Sequence, residues 1–278
     1  MCRLIGWISD EPRSLRDVLG DAALDRFANL SVLHGHGWGT ATLDPSTAHL
    51  ATHHSTRPAR EDPDFQRLAD IPSRLGLFHL RWATPGLARN RANTHPFVDG
   101  DRAMIHNGAI QPIDRLPMLR RQGSRRQPIG TTDSERLFLA VLDELRPAGA
   151  GTTGKQLAAA IETISDRAVT AGLTAASLNS IFVGPRGMAV LNWHDPAKVP
   201  SIDADDPSSP PYYDLRHLHG AGLDVIASSG FVSDPQRWSL LPNACLLSIG
   251  FDKAPQELSI RPAKPLCPIP AEAIPNAG

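Results

Sequence analysis

The chain has little cysteine: Cys2, Cys245 and Cys267 are the three in 278 residues. An odd, scattered set without a C-x-x-C pair argues against a disulfide framework and against a zinc ribbon. Charge of one sign is also missing, with a formal net charge of −1. No basic field exists to hold nucleic acid, and no polybasic run marks a membrane surface site. No apolar stretch approaches the roughly 20 residues of a spanning helix. Residues 1–10 lack the charged start, apolar middle and small-residue cleavage site of a secretory signal. No internal repeat is visible. These absences predict a cytoplasmic protein that binds neither nucleic acid nor membrane. What is present is ordinary for a globular enzyme: 41% hydrophobic and 21% charged residues, in a length that suits one large domain or two small ones.

Proline is plentiful at 25 residues, and much of it falls in two stretches. "PSIDADDPSSPPYYD" (200–214) is polar and turn-prone, which predicts a surface loop or insertion over about 200–219. "RPAKPLCPIPAEAIPNAG" (261–278) predicts an extended or disordered tail with no regular element. The organisation expected is one domain over 1–260 followed by that tail. Within the domain, "RLIGWI" reads as a short buried strand. Apolar residues from Leu15 to Leu30 recur at helical spacing. "HGHGWG" (34–39) is a glycine-rich loop entering the strand "WGTATL", with "HLATHH" as a partner strand. "LGLFHLRWAT" (75–84) reads as a central strand, and "DRAMIHNGAI" (101–110) as a strand ending in a tight Asn-Gly turn. "TTDSERLFLAVLDEL" and "GKQLAAAIETISDRAV" are helices, "LNSIFVGPRGMAVLNW" is a hairpin, and "LDVIASSG" and "CLLSIGF" are late strands. Strands, then helices, then strands predict an α+β fold of antiparallel sheets covered by helices.

Five features carry possible chemistry. Cys2 follows the initiator methionine, so removal of Met1 leaves a residue with both a thiol and an α-amine. An exposed α-amine titrates near ~8, so it can accept the thiol proton and activate the nucleophile. A cysteine incidental to a flexible end is the plainer alternative. Arg81, in an apolar strand, calls for an anion: a substrate carboxylate gripped by its planar fork, or an internal ion pair. Asn107-Gly108 is a turn, or a side-chain amide and a backbone N–H converging on an oxyanion. Asp133 is a helix cap, or the partner of a substrate ammonium. His34-x-His36, His53-His54 and His217-x-His219 invite a metal, but no cysteine or carboxylate stands at ligand spacing, so no metal is expected. Cys245, in "NACLLSI", is read as a buried strand residue and Cys267 as incidental.

Met-Cys, His-x-Arg-Trp-Ala-Thr, Asn-Thr-His-Pro, His-Asn-Gly and Thr-Asp-Ser-Glu follow one another in order. Together they resemble the class II glutamine amidotransferases of the N-terminal nucleophile hydrolase superfamily. The resemblance covers residues 2–145 by motif and extends loosely to "VIASSGFVSDPQRWSLLPNACLLSI". It implies a four-layer αββα sandwich of two antiparallel sheets with Cys2 at a strand end. It implies Cys2 as nucleophile with its own amine as base, and Asn107 and Gly108 as the oxyanion hole. Arg81 then grips the substrate α-carboxylate, Asp133 holds its α-ammonium, and Trp82 and Thr84 line the pocket. His95 takes a structural role, and His106 supports the turn. Where single-domain relatives show Asp-Gly-Trp-Gly, this chain has His36-Gly37-Trp38-Gly39.

Within that family the chain looks most like the group that includes the ergothioneine-pathway γ-glutamyl amidohydrolase. The function implied is hydrolysis of a γ-glutamyl amide in a small molecule, releasing glutamate and an amine through a thioester on Cys2, with no cofactor. Two alternatives stand beside it: a glutaminase subunit feeding ammonia to a separate synthase, and a non-catalytic γ-glutamyl-binding module. Tyr212, Tyr213, Arg216, His217 and His219 suit an aromatic or anionic leaving group or, more plainly, belong to a solvated loop. The leaving amine is left open, as is the partner: another copy of the chain, or a synthase.

Overall fold

Strand β1 (Arg3–Arg13) builds two cores from one apolar run. Ile5 and Trp7 pack on one face, and Leu4 and Ile8 pack on the other. A strand buried on both sides has no reason to alternate apolar with polar residues, which is why "RLIGWI" reads as continuous. The computed structural model describes residues 2–43, 49–145, 152–200, 211–232, 234, 236–250 and 259–262. After β1 come α1 (Leu15–Leu19), α2 (Asp21–Asn29), β2 (Trp38–Leu43), β3 (Leu50–Ser55), α3 (Pro63–Ala69) and β4 (Ser73–Leu80). Then follow β5 (Phe97–Asp99), β6 (Arg102–Gln111), α4 (Asp133–Glu144), α5 (Gly154–Thr170), β7 (Thr174–Gly184) and β8 (Gly187–Asn192). The chain continues with β9 (Leu215–Gly220), β10 (Leu223–Ser228), β11 (Ser239–Leu240), β12 (Cys245–Gly250) and β13 (Ser259–Pro262).

The strands form two antiparallel sheets, ordered β11-β9-β10-β1-β4-β2-β3 and β13-β12-β8-β7-β6-β5. Three apolar layers hold them. Leu15, Val18, Leu24, Phe27 and Phe65 of α1–α3 cover Ile5, Trp7 and Phe78 of the first sheet. Leu4, Ile8 and Leu77 meet Ile105, Ile181 and Val190 between the sheets. Phe138, Val141, Ile161 and Ile164 of α4 and α5 cover Met104 and Phe182 of the second sheet. The result is the expected αββα sandwich. Each fully buried Leu, Ile or Phe side chain contributes roughly 1.5–3 kcal/mol from leaving water.

Several expectations need correction. The helical run from Leu15 to Leu30 is two helices. Gly20 sits at φ 77 between α1 and α2, a left-handed conformation that suits glycine and ends a helix. The strand expected over 75–84 stops at Leu80, so Arg81 lies just beyond it. Asn107-Gly108 is not a turn: β6 runs through both residues, paired with Asn179 and Leu178 of β7. Of the loop expected over 200–219, Leu215–Gly220 is strand β9, because it pairs along its whole length with β10. Tyr212 and Tyr213 are buried, not solvated, and residues 201–210 lie outside the described residues. The tail expected from 261 loses its first two residues to β13, where Arg261 and Pro262 pair with Leu246 and Cys245. The boundary at 260 therefore cuts a strand, and the rest of the tail, with Cys267, lies outside the described residues. Cys245 is a buried strand residue, as expected. No helix among the described residues is long and apolar enough to cross a membrane.

Candidate active site

Cys2 stands immediately before β1, at the edge of the layer between the sheets, and is buried. Three contacts hold it. Its N–H donates to Asn107 Oδ1 at 2.8 Å, its carbonyl accepts from the Tyr212 hydroxyl at 2.9 Å, and its Sγ lies 3.8 Å from the Trp82 carbonyl. The next residue tightens the arrangement. Arg3 places its guanidinium 3.9 Å from the Tyr212 ring centre and donates to the Tyr212 carbonyl at 3.0 Å and to Ser229 Oγ at 3.3 Å. Burial lowers the Arg3 pKa, while Tyr212 and Cys2 pull it back up. Burial, first of all, pushes the Tyr212 phenol well above its ordinary value and the Tyr213 phenol up to about 12. Both tyrosines are therefore neutral hydrogen-bonding groups near neutral pH.

Asn107 is fully buried in β6. Its Oδ1 is occupied by Cys2, while its Nδ2 has no hydrogen-bond partner among the described residues. Its carbonyl accepts from Ser177 Oγ at 2.9 Å, which fixes the backbone from β7. Gly108 follows because nothing larger fits: a Cβ there would lie 1.9 Å from the Ser177 carbonyl oxygen and 2.7 Å from His106 Nε2. The register with β7 shifts between Gly108 and Ile110, and the Ile110 N–H donates to Asp133 Oδ2 at 2.7 Å.

Each residue of Thr-Asp-Ser-Glu holds something different. Thr132, not Asp133, is the N-cap of α4, its hydroxyl accepting from the Glu135 N–H at 3.2 Å. Asp133 anchors β6 through Ile110. Ser134 Oγ lies 2.9 Å from His106 Nδ1. Glu135 accepts the N–H groups of Ile129 and Gly130, both at 2.7 Å. The other Asp133 oxygen, Oδ1, accepts from Ser134 Oγ at 3.3 Å, which places the carboxylate beside His106, the residue before Asn107.

Arg81 is clamped by its backbone to the glycine-rich loop. Its N–H donates to the Gly37 carbonyl at 2.8 Å, and its own carbonyl accepts from the His36 N–H at 3.0 Å. The residue is 3% exposed, Nη2 donates to the Ala88 carbonyl at 3.0 Å, and Nη1 has no hydrogen-bond partner among the described residues. No carboxylate pairs with Arg81 among the described residues, so the internal ion pair weighed for it is not found there. Burial lowers its pKa, with Cys2 raising it and Arg89 lowering it further. Trp82 and Thr84 are half-buried on the loop that follows, and the Thr84 carbonyl closes a turn by accepting from the Leu87 N–H at 3.1 Å. Asn93 ties this loop to the segment before α4: its Nδ2 reaches the Ala88 carbonyl and its Oδ1 accepts from the Thr131 N–H. His36 fills the position where the resemblance led to an aspartate. Its Nδ1 accepts from the Ala83 N–H at 3.0 Å, the same kind of acceptor contact a carboxylate would offer. Burial, then Arg89 and Arg81, lowers its pKa.

Behind the site sits a layer of buried histidines. His79 and His95 have ring centres 4.2 Å apart, and His79 Nε2 lies 3.2 Å from the His106 carbonyl. Burial pushes His79 down to about 3 and lowers His54, His95 and His106 as well. His95 packs against His79 and Phe97, and neither ring nitrogen has a hydrogen-bond partner among the described residues. His106 supports a strand and the start of α4 rather than a turn.

The structure thus gathers Cys2, Trp82 and Asn107 by direct contact, with Gly108 beside them and Arg81 within electrostatic reach. Asp133 joins through β6. Arg3, Tyr212 and Glu135 complete the support. Arg3 had no signal beyond adjacency to Cys2. Glu135 closes the Thr-Asp-Ser-Glu motif but was given no role, and Tyr212 was read with the leaving group and not with the Cys2 carbonyl. Of the histidine pairs, His217 and His219 do meet a carboxylate, Asp224. The reading that no carboxylate stands at ligand spacing did not see Asp224 because it comes from the next strand of a hairpin.

The family of class-II glutamine amidotransferases matches residues 1–180, nearly two thirds of the chain. Glutamine--fructose-6-phosphate aminotransferase [isomerizing] of Zymomonas mobilis is 32% identical over 120 residues, 42% of this chain and 18% of that protein. A putative glutamine amidotransferase of Haemophilus influenzae is 28% identical over 150 residues, 52% of this chain and 48% of that one. The chain spans less than half the length of these curated relatives. Among solved structures, a glutamine aminotransferase class-II domain protein from Silicibacter pomeroyi superposes with a TM-score of 0.60 at 18% identity. That match covers 95% of this chain and all of the other. Glutamine phosphoribosylpyrophosphate amidotransferase from B. subtilis gives a TM-score of 0.57 at 16% identity over 95% of this chain and 49% of that one. These two show the shared fold. With the family matched over most of its length, the chain belongs to the class-II glutamine amidotransferases.

Proposed function

We propose that this protein is an N-terminal-cysteine hydrolase that cleaves the γ-glutamyl amide of a small molecule, releasing glutamate and an amine. The observation that carries the reading is Asn107, whose amide serves Cys2 at one end and keeps a buried, unused donor at the other. A buried N–H₂ without an acceptor is costly unless a ligand supplies one. Once Met1 is removed, the Cys2 amine takes the thiol proton, held in place by Asn107 Oδ1. Sγ forms a bond to the γ-carbonyl carbon, and the carbonyl electron pair moves onto oxygen. Asn107 Nδ2 and the Gly108 N–H stabilise that oxyanion. The C–N bond breaks as the leaving amine takes the proton from the Cys2 ammonium. Water, deprotonated by the same amine, then cleaves the thioester and frees glutamate. Arg81 grips the α-carboxylate and Asp133 faces the α-ammonium.

A second reading, in which glutamine is the substrate and the ammonia is used by a synthase, is favoured by the names of the aminotransferase relatives. The test compares kcat/KM for γ-glutamyl, N-acetyl-γ-glutamyl and α-glutamyl amides of one amine, with free glutamine alongside. The γ-glutamyl compound should far exceed the other two. Removing either substrate charge leaves a protein charge unpaired, and the α-amide puts its carbonyl out of reach of Cys2. Comparable values across the three would overturn the roles given to Arg81 and Asp133. A glutamine-like diazoketone should label Cys2, in protein whose intact mass lacks Met1, and should spare Cys245. Burial raises the Cys245 thiol to about 11.

A further inference from the structure

At the far end of the first sheet, β9 and β10 form a two-residue hairpin. Its turn residues, Ala221 and Gly222, are both left-handed, at φ 51 and 68. That turn sets the register: His219 stands opposite Asp224, and His217, two residues back, shares its face. His217 Nε2 and His219 Nδ1 each lie 2.7 Å from the same oxygen, Asp224 Oδ1, and the three donor atoms all lie within 4.8 Å of one another. Asp224 is fully buried, and its second oxygen, Oδ2, has no hydrogen-bond partner among the described residues. The His217 side chain is buried while that of His219 is about half exposed. The cluster therefore has a closed side built by the sheet and an open side facing solvent.

We propose that His217, His219 and Asp224 form a binding site for a first-row divalent transition metal, zinc by preference, with water as the remaining ligand. Two imidazole nitrogens and one carboxylate oxygen are a borderline donor set, which suits zinc and its neighbours and is poor for calcium or magnesium. Zinc–ligand bonds of ~2.0–2.1 Å set tetrahedral donors ~3.3 Å apart, so the two histidine–aspartate contacts need to open by only about half an ångström. The metal replaces the two ring protons that otherwise point at Asp224, and Oδ2 becomes available as a second carboxylate ligand. The site is remote from the nucleophile, which takes His217 and His219 out of the leaving-group contacts weighed for them. Asp224 pairs with Ile8, six residues along β1 from Cys2, or roughly 20 Å at the rise of an extended strand. Its effect is to pin β9 to β10. Among the described residues the sheet continues beyond β9 only as the two-residue β11, so the metal would add to the β9–β10 ladder near the sheet's edge. None of this depends on the chemistry proposed at Cys2.

The test uses untagged full-length protein alkylated at Cys2, so that its thiol adds no metal affinity. Titration with zinc chloride should show one ion per chain at micromolar affinity or tighter, with a rise in the unfolding midpoint. Cobalt(II) should give visible bands of a low-symmetry nitrogen–oxygen site without a sulfur charge-transfer band. In His219→Ala, zinc affinity should fall about tenfold or more and the cobalt bands should vanish, while amidase activity of the unalkylated variant stays at the wild-type level. Asp224→Asn should lose the metal as well, and His219→Ala carries the test if that buried change fails to fold. No binding at micromolar zinc, or equal binding by wild type and His219→Ala, would overturn the site.

Discussion

Acid should loosen the strand that carries Asn107, and His79 sets the scale. Its Nε2 donates to the carbonyl of His106, the residue before Asn107, at 3.2 Å. Burial moves the imidazole from 6.5 to about 3; the bond to the His106 carbonyl opposes the fall and Arg81 adds to it. The unfolded chain therefore binds a proton at His79 over a range where the folded protein does not. This contribution to stability is fully present above the unfolded value of 6.5 and is lost as pH falls toward the folded value of about 3. At 1.36 kcal/mol per pH unit, His79 alone costs about 2 kcal/mol at about pH 5 and about 3 kcal/mol at about pH 4. His54, His95 and His106 are depressed in the same direction by burial, so the wild-type slope is steeper still. The assay is urea unfolding, followed by tryptophan fluorescence across this pH range, for wild type and His79→Gln. Glutamine keeps an N–H for the His106 carbonyl but does not titrate. The variant should be weaker near neutrality yet lose about 2 kcal/mol less on reaching about pH 5. Parallel curves for the two proteins would refute the reasoning.

Three further outcomes follow from the site. Asn107→Ala should lower kcat by about 10²–10³, roughly 3–4 kcal/mol, with little change in KM; a pure KM effect would make Asn107 a ground-state contact. Gly108→Ala forces a Cβ to within 1.9 Å of the Ser177 carbonyl, so soluble yield or thermal midpoint should drop sharply, and a wild-type melt with full activity would show that the strands can separate there. Tyr212→Phe leaves the Cys2 carbonyl buried without its 2.9 Å donor and should cost roughly 1–3 kcal/mol in urea unfolding. An unchanged midpoint would mean that water replaces the hydroxyl.

The sequence made the sandwich legible where burial is two-sided or periodicity is long. β1, β7, α4 and α5 were legible for that reason, and so was β4 apart from its end at Leu80. It misled where a local signal met a tertiary constraint. Asn-Gly is a strong turn signal, yet Asn107 and Gly108 run straight through β6. Here the glycine is required by the Ser177 carbonyl and not by a positive φ. β9 escaped notice because "LRHLHG" is short, polar at three of its six residues and follows a proline-rich run. Only pairing with β10 makes it a strand. The site residues were legible as a family pattern, but their supports were not. That Glu135 would hold the loop at 129–130, or that Tyr212 would reach back 210 residues to Cys2, depends on contacts no spacing encodes.

A nucleophile at a chain end faces a physical conflict, because ends fray unless they are tied down. Here the ties come from both sheets. Asn107 of β6 takes the Cys2 N–H, Tyr212 ahead of β9 takes the Cys2 carbonyl, and Ser228 of β10 accepts the Leu4 N–H at 3.0 Å. Arg3, buried over Tyr212, locks the tyrosine that locks the cysteine. The first tie does more than restrain. A carboxamide has one end that accepts and one that donates. Because the Cys2 nitrogen can only donate to it, Oδ1 must face Cys2 and Nδ2 must be the end left over. The amine exposed by loss of Met1 keeps N–H groups to give to Oδ1 and gains a lone pair for the thiol proton. The contact that steadies the chain end therefore also presents the N–H₂ group to the oxyanion. Asn107→Asp would keep the first function and abolish the second.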